Sequence, residues 1–270
     1  MTQGDAPQAR ADRRLAELAV GLERTRARIS AACAAAGRDE SELTLIAVTK
    51  TYPAADVLAL ASMGVTDFGE NRDQEAAPKA AEVAAAFAAA GPAAPPVTGR
   101  AAPATAGKPV TWHFIGQLQS NKAHSVVGYA AVVHSVDRVR LVRHLGAAAF
   151  ATPGRNSCGT AVLCLVQVSL DGDPSRGGVP ADGARALAEA IEAEPGLALG
   201  GLMAVAPLGM DPVAAFAPLR HLSAVVRSVN PLATVISAGM SGDLEAAVAC
   251  GATHLRIGTA LLGNRRPPVR

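Results

Sequence analysis

The sequence predicts an α/β protein built as a closed (β/α)8 TIM barrel preceded by one helix, on three observations. Eight short apolar runs alternate with helical stretches over about 220 residues, close to the usual extent of such a barrel. No G-x-G-x-x-G follows the first run, which counts against an open doubly wound sheet, the competing arrangement. Half of the 270 residues are apolar but only 3% are aromatic, so the core must be filled by Ala, Val, Leu and Ile in closely packed helices and strands.

Residues 1–12 are polar and are expected to be disordered. A helix follows, with Leu15, Leu18, Leu22, Ile29 and Cys33 on one stripe and Gly37 as its stop. Arg13, Arg14, Arg24, Arg26 and Arg28 fall mostly on other faces and are expected to meet water. LTLIAV (43–48) reads as the first strand, with a helix from Pro53 to Met63 behind it. VTDF (65–68) reads as the second, with a helix from Arg72 to Ala90. TWHFIG (111–116) and AVVHSV (131–136) are the third and fourth strands, the latter followed by a helix from Arg138 to Phe150. AVLCLVQVSL (161–170), ALGGLMAV (198–205), ATVISA (233–238) and THLRIG (253–258) complete the eight. Helices at Ala181–Ala193, Pro212–Ser228 and Asp243–Cys250 lie between them. The domain spans 13–265, with 266–270 as a tail. The Ala/Pro/Gly stretch 88–109 interrupts the alternation as a surface insertion, placed by its position behind a helix on the N-terminal side of the barrel.

A net charge of +2, from 25 basic and 23 acidic residues, supplies no electrostatic reason to bind nucleic acid or an anionic membrane. No apolar run approaches the roughly 18 residues needed to span a bilayer, and the start lacks the apolar segment of a secretory signal, so a cytoplasmic protein is expected. Cys33, Cys158, Cys164 and Cys250 have neither disulfide-framework nor zinc spacing. The six histidines share no ligand spacing, so no metal site is expected. His113 reads as a packed, hydrogen-bonded side chain, because no nucleophile or paired carboxylate accompanies it.

Chemistry in this fold is assembled where the strands end at their C-termini. Lys50 follows the first strand directly, and parity puts it on one face with Ile46 and Val48. If that face is the interior, desolvation raises the fraction of neutral amine able to attack an aldehyde; otherwise it is a solvated loop lysine. After the eighth strand, Gly258 and Thr259 open a short helix whose free N–H groups suit a phosphate. Ser241, after the tight turn at Gly239, adds a hydroxyl. A lysine facing a phosphate cradle describes a pyridoxal phosphate pocket.

The segments LIAVTKTYP, DFGENRDQEAAPK, WHFIGQLQSNK, VHSVDR, GLMAVAP, SAGMSGDLEAAVACG and RIGTALLG occur in this order from about Glu17 to Gly263, and together they resemble the pyridoxal phosphate homeostasis proteins, the YggS/PROSC-like family. The resemblance implies a fold-type III barrel like the N-terminal domain of alanine racemase, with pyridoxal 5'-phosphate on Lys50 as a Schiff base. It further implies a phosphate site at Ser241, Gly258 and Thr259, Asn71 near the cofactor ring, and Arg256 facing the pyridine nitrogen. A guanidinium there leaves the ring unprotonated and a poor electron sink. The family is regarded as a cofactor carrier without established catalytic activity, whose partners would include apo-enzymes that use the cofactor. Two departures stand out: Ala238 replaces a residue usually Met or similar, and the 88–109 insertion is longer than usual. A PLP-dependent racemase is the alternative. It needs a second acid/base opposite the lysine, and the tyrosines available are Tyr52 and Tyr129. A barrel of this size can stand alone, so a monomer is expected.

Overall fold

The computed structural model describes residues 5–90, 110–151, 161–173 and 176–263. Residues 91–109 of the insertion, the 266–270 tail and Cys158 lie outside the described residues. Eight parallel strands close into one barrel in sequence order: β1 Thr44–Val48, β2 Asp67–Glu70, β3 Thr111–Phe114, β4 Val132–Val136, β5 Val162–Gln167, β6 Leu197–Met203, β7 Val235–Ser237 and β8 His254–Ile257. The helices are α1 Asp5–Ala36, α2 Ala54–Ser62, α3 Asp73–Ala90, α4 Ala123–Val127, α5 Val139–Ala151, α6 Ala184–Glu192, α7 Pro212–Phe216, α8 Leu219–Arg227, α9 Leu244–Ala249 and α10 Thr259–Leu262.

Helix α1 already runs from Asp5, so residues 5–12 are helical where disorder was expected. Gln8 donates to Asp12 one turn on, at 2.9 Å. Gly37 stops it as expected: φ is 64°, and Arg38 N–H reaches back to the Cys33 carbonyl. The second strand begins at Asp67 rather than Val65, because Val65 is consumed by the preceding helix end. Its N–H bonds the Leu60 carbonyl and Gly64 takes φ 87°, a Schellman cap. The expected helix 212–228 divides into α7 and α8 around Pro218, which has no N–H with which to continue the ladder. The short α4 was not read from the sequence.

Outward-facing strand residues such as Ala47, Phe68, Trp112, Val133 and Leu255 pack with the helices in one large apolar shell. A smaller cluster of Val132, Leu165 and Met203 fills part of the barrel interior. Arg13, Arg24 and Arg26 are exposed as expected, whereas Arg14 and Arg28 fasten α1 to the barrel's rim. Arg14 pairs with Asp56 at 2.7 Å and donates to the Leu262 carbonyl, while Arg28 pairs with Glu245 and donates to the Ser241 carbonyl at 3.0 Å. A Cβ on Gly21 would stand 2.1 Å from the Leu261 carbonyl oxygen, so α1 and α10 touch backbone to backbone.

Candidate functional site

Register fixes which residues share the inner face. Ile46 pairs with Asp67 and with Arg256, Val48 with Gly69, and Gly69 with His113. His134 on β4 bonds Ser237 on β7, and these strands are not neighbours in the sheet, so that bond crosses the interior. Continuing the two-residue period past the strand ends brings Lys50, Asn71 and Gly258 to one rim.

Every residue singled out from the sequence lies at the C-terminal end of a strand or just beyond it. Lys50 is half-buried in the turn after β1. Thr51 follows with φ 70°, a strained conformation for a β-branched residue that costs about 1–3 kcal/mol, and its N–H donates to Glu75 at 3.2 Å. Strain of this kind fixes the direction of the chain at the lysine. The other lysines are Lys79, Lys122 and Lys108. Lys79 is committed to Glu70 and to the Thr49 carbonyl, Lys122 lies 3.8 Å from Asp73, and Lys108 is outside the described residues.

Asn71 forms the bend after β2, and Gly116 lies against it. A Cβ at Gly116 would stand 2.1 Å from the Asn71 carbonyl oxygen, so glycine at 116 is required by the main chain at 71. Ser241 and α10 meet directly, since Ala260 N–H donates to Ser241 Oγ at 3.1 Å, leaving the hydroxyl proton available to an anion. Gly258 packs its Cα edge on Val48, two residues before Lys50. Gly239 has φ 91° and no room for a Cβ beside Ala247, and its carbonyl accepts from Arg256 N–H at 2.9 Å. Tyr52 donates to the Gly263 carbonyl at 2.8 Å with Arg14 over its ring, which anchors the end of α10.

Arg256 is 5% exposed, so a surface ion pair is not its role. It donates to Ser237 Oγ at 2.6 Å and to the Ala204 carbonyl at 3.0 Å, and among the described residues no carboxylate lies within 4.0 Å. Burial brings its pKa down to about 10, partly countered by Asp243, so it remains charged at neutral pH. A buried guanidinium with donors to spare and no anion beside it suits a ligand that offers acceptors. Asp67 and Glu70, unassigned from the sequence, point opposite ways. Asp67 lies on the inner face near the barrel floor. Glu70 turns outward under α3, where it accepts from Thr49 and Lys79 while its Oε2 has no partner among the described residues. Burial raises the Glu70 pKa, opposed by Lys79. His113 is buried and bonded to Asp67 and His134, as a packed histidine should be. The sequence reading missed His134, Ser237, Glu75 and Lys79. Inward strand parity was the signal for the first two; the others come from a neighbouring helix.

Comparison with known proteins matches the family model "Alanine racemase, N-terminal domain" to residues 20–266. The pyridoxal phosphate homeostasis protein of Mycobacterium tuberculosis (strain ATCC 25618 / H37Rv) is 44% identical over 257 residues, covering 94% of this chain and 95% of its own. A crystal structure of an unknown protein from Bifidobacterium adolescentis is 32% identical with a TM-score of 0.79, covering 93% of this chain and 96% of its own. PipY of Synechococcus elongatus PCC7942, solved with PLP bound, is 34% identical with a TM-score of 0.65, over 82% of this chain and 93% of that one.

Proposed function

The chain belongs to the pyridoxal phosphate homeostasis proteins, whose barrel is the alanine racemase N-terminal domain, and from that premise we propose that it holds pyridoxal 5'-phosphate reversibly on Lys50 and serves intracellular homeostasis of that cofactor. The observation that carries the reading is Arg256: a charged, buried guanidinium with unspent donors, on the strand next to the one that leads to Lys50. When bound, the cofactor would supply an aldehyde carbon that can pass from the lysine to an incoming amine or be released by water.

The residues present fit that group. Lys50 offers the amine. Ser241 Oγ–H and the main chain of Gly258 and Thr259 offer donors to the phosphate, with α10 held in place by Arg14, Tyr52 and the contact at Gly21. Asn71 lies on the rim between Lys50 and β3. Arg256 would offer an N–H to the ring nitrogen and, staying charged, would keep a proton off it, which would disfavour carbanion chemistry. Racemisation would also need an opposed acid/base. Tyr52 has given its hydroxyl to Gly263, and Tyr129 packs in the outer apolar shell. A non-catalytic carrier in the cytoplasm, delivering to apo-enzymes, is the role these features support. No helix among the described residues is long and apolar enough to cross a membrane.

Borohydride reduction of the cofactor-loaded chain followed by mass spectrometry tests the assignment. Lys50 should carry the adduct and Lys50→Ala should abolish it; an adduct on another lysine would overturn it. Alanine incubated with the loaded protein in deuterated water should show no rapid Cα exchange. Rapid exchange would establish the racemase alternative.

A further inference from the structure

A line of buried polar side chains crosses the barrel interior from Arg256 to the floor. Arg256 Nη1 meets Ser237 Oγ at 2.6 Å, Ser237 Oγ meets His134 Nδ1 at 2.9 Å, His134 Nε2 meets His113 Nδ1 at 2.9 Å, and His113 Nε2 meets Asp67 Oδ1 at 2.9 Å. Ser237 and His134 are fully buried and His113 is 2% exposed. The residues come from β8, β7, β4, β3 and β2, so five strands contribute one side chain each.

We infer that this line is a one-directional hydrogen-bond relay in which Ser237, His134 and His113 are positioning residues, locking the Arg256 guanidinium in place and linking it to Asp67 as its remote counter-charge. The direction follows from the two ends. A guanidinium only donates, so Ser237 Oγ spends a lone pair on Arg256, and its own proton has His134 Nδ1 as the acceptor in reach. An ionised carboxylate only accepts, so His113 must carry its proton on Nε2. A neutral His113 then accepts at Nδ1, which requires His134 to donate from Nε2 and accept at Nδ1. Both ends therefore assign the Nε2–H tautomer to both rings, and a single reversal would set two acceptors or two donors face to face.

The surroundings agree. Burial, then His113, Arg256 and His254, hold the His134 pKa well below the ordinary range. Asp67 resists burial through its bonds from His113 and from Thr66, whose hydroxyl reaches Oδ2 at 2.6 Å, so its pKa is lowered. The titratable and charged groups facing the two rings are thus Asp67 from β2 and His254 and Arg256 from β8, with the His254 ring centroid 6.4 Å from that of His113. The role of the relay toward the cofactor rests on the function proposed above; its proton arrangement does not.

The test starts with the cofactor-free, 15N-labelled chain, each histidine assigned by its single His→Asn variant. Both His113 and His134 should show the Nε2–H pattern at pH 8; Nδ1–H at either ring would overturn the relay. In Asp67→Asn, the ring nitrogens of His134 should shift along with those of His113. A response confined to His113 would show that the chain is not coupled. With pyridoxal phosphate added, Ser237→Ala should weaken binding about tenfold and move the absorption band, and Ser237→Thr should restore both to within about twofold. Unchanged affinity and spectrum in Ser237→Ala would refute the positioning role. If the parent chain binds no cofactor, the proposed function fails while the tautomers still decide the relay.

Discussion

Lowering the pH from 7 to 5 should destabilise this protein through histidines that are buried uncharged, and His254 allows the size of the effect to be worked out. Burial, then His113, pushes its pKa from the ordinary 6.5 down to about 4, with Arg256 adding to the shift and Asp67 opposing it. Between those two values the unfolded chain binds the proton and the folded chain does not, so stability is fully present above 6.5 and is lost as the pH falls toward 4. The full gap converts to about 3 kcal/mol, of which about 2 kcal/mol is lost by pH 5. His134, shifted in the same direction, adds to the loss. The perturbation is His254→Asn, whose side-chain oxygen can still accept from the Thr253 hydroxyl that meets His254 Nδ1 at 2.9 Å. Urea unfolding followed by the single tryptophan, Trp112, gives stability at each pH. The parent should lose about 2 kcal/mol more than the variant between pH 7 and pH 5. Equal losses in the two proteins would refute the argument that a neutral, desolvated His254 is what acid attacks.

Lys79→Met should lower stability by about 3–5 kcal/mol, because it strands the Glu70 carboxylate at 0% exposure; removing both charges together should recover most of the loss, as thermal unfolding of single and double variants will show. Gly116→Ala pushes a methyl group into the Asn71 main chain, so the urea midpoint should fall, and pyridoxal phosphate titration of the folded variant should show binding about tenfold weaker. Unaltered affinity would remove Asn71 from the site.

The alternation of buried strands and helices was legible because each strand of a closed parallel barrel is covered on both faces and so reads as an apolar run. The placement of Lys50, Gly258 and Thr259 at the mouth was legible for a related reason: they follow their runs directly, and the fold gathers strand ends there. What could not be read was decided by contacts between distant segments. Val65 looks like a strand residue, yet a helix cap takes its N–H. Arg14 and Arg28 look like solvated charge, yet their carboxylate partners lie on α2 and α9, 42 and 217 residues away. The partners of Arg256 were not legible either, because nothing in its own strand reveals that Ser237 on β7 and the Ala204 carbonyl after β6 stand within reach of its guanidinium.

The polar interior explains why those particular positions escape the apolar pattern. A barrel of this kind is usually filled by layers of branched aliphatic side chains, and here Val132, Leu165 and Met203 supply that filling on one side. On the other side, Asp67, His113, His134, Ser237 and Arg256 replace it. Each breaks an otherwise apolar strand, and each would be unfavourable there alone. Together they satisfy one another from a donor-only end to an acceptor-only end, so the whole line is tolerated only as a unit. Loss of a middle member, His134 above all, should therefore damage Arg256 and the fold together, whereas loss of a rim residue such as Ser241 leaves the line intact. A histidine within a buried strand is a weak signal by itself. Two on adjacent strands at inward parity, with a serine and an arginine at inward parity farther along, form a pattern that one chain can be searched for before any coordinates exist.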